Sequence, residues 1–358
     1  MLDRSQPSPA KIMVVVAFAA VYIIWGSTYL AIRVAVETIP PFLMAGVRYM
    51  IAGGILYAWL RWRGVAAPAR IHWRSAAVVG GLMLLGGNGG VVWAEQPGKV
   101  PSSIAALMVS AVPLWMVLIN WARPRGVRPT SIEALGLILG FVGVVILVAL
   151  GSMSGSEPID RGGAIALILA PIFWAAGSIY SRHAKLPDSV FLATGMQMLA
   201  GGALLVLAGS VTGEWGRVNV EAISTKSVLA FGYLVVFGAL IGFTAYIWIL
   251  RVSTPAKVGT YAYVNPAIAV FLGWVLLSEP ITSSMLVAMA VILTGVILIT
   301  TRATSKSVHD SFPESKLQGQ GRGASLSESK ETSSRTCAPP EGSRAPSSTP
   351  FSSAICEE

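Results

Sequence analysis

Ten long apolar runs restrict what this chain can fold into more than any other feature of its sequence. They lie near residues 12–33, 41–60, 75–95, 102–122, 133–150, 162–181, 190–210, 227–250, 257–277 and 283–301. A helix needs about 20 apolar residues to cross a hydrocarbon core of roughly 30 Å. Lipid offers no partner to open backbone groups, and the sequence lacks the alternating strands of a β-barrel. The runs therefore predict an all-α membrane protein with ten transmembrane helices.

Composition excludes a soluble domain and sets an orientation in the membrane. Only 12% of the residues are charged and the mean hydropathy is +0.67, whereas a soluble domain carries about a quarter charged residues. Basic side chains concentrate in alternate loops, such as Arg61, Arg63 and Arg70 after the second run. Because basic loops stay in the cytoplasm, we expect a multi-pass inner-membrane protein with both termini cytoplasmic. The net charge of +9 comes from these loops and indicates no nucleic-acid partner.

The last part of the chain differs from the rest. Residues 303–358 are rich in Ser, Pro, Gly and charge and have almost no apolar periodicity. Such a segment cannot bury enough surface to fold, so we expect a disordered cytoplasmic tail. Both cysteines, Cys337 and Cys356, lie in this tail, where a reducing cytoplasm would keep them as thiols.

The chain also repeats itself. A shift of 149 residues places Trp25 on Trp174 and Arg33 on Arg182, and other matches include glycines. This divides the apolar part into two five-helix repeats, residues 12–150 and 162–302. Because five is an odd number, the second repeat enters the membrane from the opposite side. Inverted repeats are typical of secondary transporters, whose binding site lies near the bilayer midplane between the halves. A duplicated membrane anchor without transport function is the alternative.

Several stretches resemble the EamA branch of the drug/metabolite transporter superfamily, near its YedA-like exporters. They are "WGSTYLAIRVAVETIPPFLMAGVRYMIAG", "GNGGVVWAEQ" and "VPSSIAALMVSAVPLW" in the first half, and Pro266, Trp274, Glu279 and Pro280 in the second. The first half departs from the pattern, since it reads "GVRPT" where a Glu usually precedes the Pro. The resemblance covers about residues 12–302. It implies ten helices, a central cavity and export of small metabolites.

Polar residues near the end of the third run are the first candidates for a site. Asn88, Trp93 and Glu95 lie in or directly after apolar sequence, and Asn88 and Glu95, seven residues apart, share a helical face. Arg48, on the second helix, enters from the same side at a similar depth. A buried Arg is costly unless it is paired or wetted, so we expect Glu95 to be its partner and to stay ionised. The pair is either a polar wall of the cavity or a structural link between the second and third helices.

An aromatic stripe on the first helix is the second candidate. Trp25, Thr28 and Tyr29 have the spacing i, i+3, i+4 and begin near mid-membrane. The repeat places Trp174 and Ser178 opposite them on the sixth helix. Aromatic stripes are more often packing than binding, but ligand pockets are also lined by aromatics with few polar groups. The matched positions favour a cavity.

The ninth and seventh helices complete the candidate set. Tyr261 and Asn265 share a face, and Pro266 interrupts the hydrogen-bond ladder beside them. Gln197 occupies in the second half the place of Arg48 in the first. The predicted substrate-binding residues are therefore Trp25, Thr28, Tyr29, Arg48, Asn88, Trp93, Glu95, Trp174, Ser178, Gln197, Tyr261 and Asn265.

No enzyme, cofactor or metal motif appears, since the three histidines are scattered and no Walker lysine loop exists. The sequence thus predicts a secondary transporter whose partners are a small-molecule substrate and the lipid bilayer. We expect it to export amino acids or related amphipathic compounds by alternating access. A nucleotide-sugar or phosphate-type antiporter of the same superfamily, and a non-transporting receptor or scaffold, are the alternatives. The sequence leaves open the substrate, the coupling to protons, and whether the protein is a monomer or a homodimer.

Overall fold

The computed structural model of the protein describes residues 11–123, 128–151, 160–253 and 255–309. Within these residues it forms ten long helical segments, one for each apolar run. They are α1 Lys11–Ala35, α2 Pro41–Trp62, α3 Arg70–Ala94, α4 Ser102–Ala122, α5 Ser131–Gly151, α6 Arg161–Ser181, α7 Val190–Val211, α8 Thr225–Val252, α9 Tyr261–Leu277 and α10 Ser283–His309. Of the expected tail, the structure describes only the end of α10, and residues 310–358 lie outside it.

Seven of these helices are long and apolar enough to cross a membrane, and α5, α9 and α10 contain shorter apolar stretches. Because short loops join consecutive helices, each helix runs back across the bundle. We call the side on which α1 begins the near side and the side on which α1 ends the far side. Large apolar side chains such as Ile23 and Phe271 are exposed on the outside of the bundle, where an all-α membrane protein meets lipid. The all-α membrane fold expected from the sequence is confirmed.

Local sequence fixes where several helices begin. The Asp160 side chain accepts a hydrogen bond from the Gly163 amide at 2.6 Å and so caps α6. Pro41 stands in the first turn of α2, where its missing N–H removes no helical bond. Pro171 and Pro266 lie inside α6 and α9, where each removes a backbone hydrogen bond. The Asp160 cap and Pro41 agree with the helix starts that the apolar runs predict, whereas α6 and α9 continue past their prolines.

The third helix of each half contains a π-helical segment, at Gly81–Asn88 in α3 and Leu234–Phe243 in α8. Their first residues are related by a shift of 153 residues, close to the shift that relates the two halves. A π-helical turn admits one more residue than an α-turn and is frequent at functional sites. The apolar runs did not predict these segments, although Gly86 and Gly87, next to Asn88, lie within the first of them.

Glycines set a reciprocal contact between the halves at α2 and α7. A methyl group on Gly46 would lie 2.9 Å from the Gly202 carbonyl oxygen, and one on Gly202 would lie 2.9 Å from that of Gly46. Gly53 and Gly195 stand in the same relation, at 2.8 and 3.2 Å. The shift of 149 residues relates Gly46 to Gly195 and Gly53 to Gly202. Each of the two α2 glycines therefore packs against the repeat counterpart of the other. Small residues allow this close approach of helix backbones in a membrane.

Two carboxylates bind the halves together on the far side. Glu214, which follows α7, accepts hydrogen bonds from the amides of Phe42 and Leu43 at the start of α2, at 3.3 and 2.9 Å. Glu279, which follows α9, accepts from the Ser102 and Ser103 amides at the start of α4, at 2.9 and 3.1 Å. Each anion satisfies free amides of the first helical turn and meets the positive end of a helix dipole. The contacts position α2 and α4 beside the second half.

Candidate functional site

A cavity of about 60 Å³ lies between the two halves. It is lined from α1, α2, α3, α4, α6, α8 and α9, and both π-helical segments contribute to its wall. Seven of the twelve residues predicted from the sequence line it. They are Trp25, Thr28, Tyr29, Arg48, Asn88, Trp174 and Tyr261. The structure thus brings together the aromatic stripe and the Arg–Asn part of the predicted site.

Arg48 supplies the charge of this cavity. The residue is only 2% exposed, and its Nη2 donates to the Asn88 side-chain oxygen at 2.7 Å. Its guanidinium carbon lies 4.4 Å from the centre of the Tyr49 ring, a distance typical of a cation–π contact. The Nε atom is buried without a hydrogen-bond partner. An amide and an aromatic ring do not neutralise a buried cation. A negative group beside the guanidinium would therefore stabilise it.

The predicted partnership of Arg48 with Glu95 is wrong. Among the described residues, the carboxylate–guanidinium pair within 4 Å is Arg217 with Glu214, at 3.3 Å, and both Glu95 oxygens are buried without a hydrogen-bond partner. The reason is local. Arg48 Nη2 donates to Asn88, which lies seven residues before Glu95 on α3, and the Glu95 oxygens receive no hydrogen bond from it. Arg33 occupies the end of α3 instead, and its Nη1 donates to the Glu95 and Gln96 carbonyls at 2.8 and 2.7 Å.

Four aromatic side chains pack together beside the cavity. The Trp25 ring lies 5.4 Å from Trp174, 4.8 Å from Tyr246 and 5.7 Å from Tyr261, centre to centre. The contacts with Trp174 and Tyr261 are edge-on, the arrangement that aromatic quadrupoles prefer. We call these four residues the aromatic cluster. It joins α1 of the first half to α6, α8 and α9 of the second.

Hydrogen bonds satisfy the polar edges of the aromatic cluster. The Trp174 indole donates to the Tyr246 hydroxyl at 3.1 Å, and the Ser178 hydroxyl lies 2.9 Å from the same oxygen. The Trp25 indole donates to the Gly238 carbonyl in the π-helical part of α8 at 3.3 Å. These bonds fix the ring orientations, so the apolar wall of the cavity has a defined shape.

Five predicted residues do not line the cavity. Ser178 stands behind it, against Tyr246, and the Asn265 amide nitrogen, turned toward the Tyr22 and Tyr261 carbonyls, donates to them at 3.1 and 3.3 Å. Gln197 is fully buried, and neither polar atom of its side chain has a partner. The other two, Trp93 and Glu95, lie at the far-side end of α3.

Trp93 contacts a cation in the loop after α3 and does not line the cavity. The Lys99 ammonium lies over its indole, 3.2 Å from the ring centre. Burial lowers the pKa of Lys99, while the nearby Asp160 carboxylate raises it and Arg217 lowers it further. The ring also packs on Gly162, where a methyl group would meet it at 3.1 Å. Trp93 therefore joins the end of α3 to the beginning of α6.

Sequence reasoning missed Gly238, which lines the cavity, and Tyr246, which belongs to the aromatic cluster. A usable signal was present. The shift of 153 residues that relates the starts of the π-helical segments also places Trp93 on Tyr246. Extending the repeat comparison to the third helix of each half would have selected Tyr246. Gly238 has no such signal, because it contributes a backbone carbonyl.

A larger crevice of about 410 Å³ lies elsewhere, between α1, α7 and α8. Its lining is apolar except for Thr244, and it includes exposed side chains at the start of α1 such as Ile12 and Met13. A surface of this kind suits lipid chains and offers no charged group to orient a polar molecule. The smaller cavity at Arg48 is therefore the candidate site.

Comparison with known proteins agrees with this architecture. The model of the EamA-like transporter family matches the chain twice, over residues 12–149 and 161–301. A solved crystal structure with 22% sequence identity aligns with a TM-score of 0.57 and covers 82% of this chain and 99% of its own. At this identity the likeness shows the shared fold alone.

Two relatives specify the family further. The chain is 40% identical over 285 residues to the uncharacterized inner membrane transporter YedA of Escherichia coli strain K12, with 79% of this chain and 89% of the relative covered. It is 24% identical to the uncharacterized transporter YvbV of Bacillus subtilis strain 168, over 80% of this chain and 92% of that relative. These relatives are named as transporters and not as enzymes. The chain belongs to the EamA-like transporter family and is a multi-pass inner-membrane transporter.

Proposed function

We propose that the protein exports small amphipathic metabolites that carry an anionic group, amino acids among them, by alternating access. The observation that carries this proposal is the state of Arg48. It lies in the cavity wall, is bonded to the neutral Asn88, and has no carboxylate partner within 4 Å among the described residues. A carboxylate of the ligand would supply the negative charge beside Arg48 and form a charge-assisted hydrogen bond with it.

The rest of the cavity suits the remainder of such a molecule. Trp25, Trp174 and Tyr261 provide an apolar wall, and Thr28 and Asn88 provide short polar groups. A cavity of about 60 Å³ holds only a few water molecules. The helices around it must therefore separate before a metabolite binds. This requirement supports a mechanism in which the two halves move relative to each other.

The alternative of a nucleotide-sugar or phosphate-type antiporter is less well supported. A diphosphate group calls for several cations, whereas Arg48 is the one charged side chain among the described residues that line the cavity. A non-transporting receptor has no support in the named relatives, which are transporters.

The test replaces Arg48 and measures efflux. Arg48→Gln should lower efflux of carboxylate-bearing amino acids about tenfold or more, because a charge-assisted hydrogen bond contributes about 1.5–3 kcal/mol. Arg48→Lys keeps the charge and should retain part of the activity. The exposed Arg63, whose guanidinium lies over Trp59, provides the matched control Arg63→Gln, which should behave as the wild type.

The assay is accumulation of amino acids outside cells of a strain that lacks its own exporters, with membrane-extracted protein level measured in parallel. Arg48→Gln at normal level and with full efflux would contradict the role of Arg48. A wild-type protein that exports none of the amino acids would contradict the proposed substrate class.

A further inference from the structure

The surroundings of Glu95 do not suit an ionised carboxylate. Its side chain is 0% exposed, and both carboxyl oxygens are buried without a hydrogen-bond partner. It follows directly after the last turn of α3, on the far side, and does not line the cavity. Removing an ionised carboxylate from water without a partner is so costly that the group takes up a proton instead.

Two other carboxyl groups on the same side of the bundle are held by several hydrogen-bond donors. Glu214 is equally buried and accepts hydrogen bonds from two amides at the start of α2. Glu279 accepts from two amides and from the Ser102 hydroxyl, the last at 2.8 Å. Glu95 has no such donors, although it lies on the same side of the bundle. Its environment therefore suits a neutral carboxylic acid.

The titratable and charged groups around Glu95 do not replace those donors. From α1 it faces Tyr29 and Arg33, from α2 it faces Arg48, and from the loop after α9 it faces Glu279. Arg33 Nη1 donates to the backbone carbonyls of residues 95 and 96, and Arg48 Nη2 donates to the Asn88 side chain. Glu279 repels a second negative charge. Both cations attract Glu95 from a distance without forming an ion pair with it.

We propose that Glu95 is a proton-binding site, which holds a proton in this conformation and releases it when the halves reopen, so that proton entry drives export. This proposal rests on the function proposed above and adds its energy source. In an antiport cycle the carrier returns with a proton and without substrate. The cavity of about 60 Å³ has room for a few water molecules, which agrees with a return step without substrate. On release the O–H bond of the Glu95 carboxyl group breaks, its electron pair stays on the carboxylate oxygen, and the proton passes to water.

The first test observes the proton directly. Infrared difference spectra of the full-length protein in lipid, recorded across a pH titration, should show the carbonyl stretch of a protonated carboxylic acid at neutral pH. Glu95→Gln, which is nearly isosteric with the protonated acid, should remove this band, and Glu95→Asp should shift it. Glu221→Gln is the matched control, because Glu221 is an exposed carboxylate on the same side, and it should leave the band unchanged.

Three outcomes of that test would overturn the proposal. The band is missing from the wild type at neutral pH, it survives in Glu95→Gln, or Na⁺ removes it at constant pH. The last result would identify a metal-cation site. Because no substrate is added, none of these outcomes depends on the proposed function.

The second test measures coupling in proteoliposomes with a mixture of radiolabelled amino acids as the probe. A pH gradient across the vesicle membrane should drive accumulation by the wild type. In Glu95→Gln the ratio of transport with and without the gradient should fall to one, and an unchanged ratio would overturn the coupling role. A wild type that moves no amino acid but shows the Glu95-dependent band would refute the proposed substrate and leave the proton site supported.

Discussion

Tyr246 joins two helices of the cavity wall through a single hydroxyl. It accepts from the Trp174 indole, lies within hydrogen-bond distance of Ser178, and its ring packs on Trp25. The residue is fully buried. Without the hydroxyl, the hydrogen bonds to Trp174 and Ser178 are both lost, and a buried hydrogen bond contributes about 0.5–1.5 kcal/mol.

Tyr246→Phe should therefore lower the free energy of unfolding by about 1–3 kcal/mol, while the ring contacts remain. Thermal unfolding of the detergent-extracted protein measures this change. Tyr180→Phe, an exposed position on α6, makes the same chemical change without a buried partner and should leave the unfolding midpoint where it is. Equal effects of the two substitutions would show that the Tyr246 hydroxyl does not support the aromatic cluster.

The outcome at Glu95 shows why individual contacts were harder to predict than the residues that line the cavity. The depth of Arg48, Asn88 and Trp25 follows from counting residues along apolar runs, and all three line the cavity. The partner of Arg48 depends on competition between Asn88 and Glu95 for its guanidinium, and the structure pairs it with Asn88. Helical spacing places both side chains on one face and does not choose between them.

At the scale of the helices, the boundaries were predictable because apolar length and caps are local properties. The π-helical segments at Gly81–Asn88 and Leu234–Phe243 were not. A π-helical turn depends on how the helix packs against its neighbours, and Gly86 and Gly87, which pack against Phe173 and Trp174, supply the space for it. The repeat was visible in the sequence, but its reciprocal glycine contact becomes evident only when α2 and α7 are placed side by side.

That contact leads to a prediction about α2. Gly46→Ala would bring a methyl group within 2.9 Å of the Gly202 carbonyl oxygen on α7, and overpacking of this kind costs about 1–3 kcal/mol. We expect a lower yield of folded protein and a lower unfolding midpoint in detergent. Gly54→Ala is the matched control on the same helix, since no atom lies within 4 Å of its added methyl group.

Gly54→Ala should be neutral or slightly stabilising, because alanine favours a helix over glycine by about 1 kcal/mol. If both alanine variants unfold at the same temperature, close packing of α2 on α7 does not limit stability and the glycine contact is incidental.

In the whole molecule, the cross-half contacts of Glu214 and Glu279 lie on the far side, where the second half caps α2 and α4 of the first. The aromatic cluster joins the same halves beside the cavity. A transport cycle of the kind proposed has to break these contacts or carry the capped helices along with the second half. On the far side, the carboxylates accept hydrogen bonds from backbone amides of α2 and α4. Water can take their place once these helices separate from the second half.

The orientation of the whole molecule gives the last prediction. The basic loops on the near side lead us to infer that this side, with both termini, faces the cytoplasm. The chain has two cysteines, Cys337 and Cys356, both after α10. A membrane-impermeant maleimide added to intact spheroplasts should therefore leave the wild type unlabelled and label it after permeabilisation. Glu221→Cys adds a thiol at an exposed far-side position and should be labelled without permeabilisation. Labelling of the wild type in intact spheroplasts would show that the near side faces outward. The direction of proton entry inferred for Glu95 would then also be wrong.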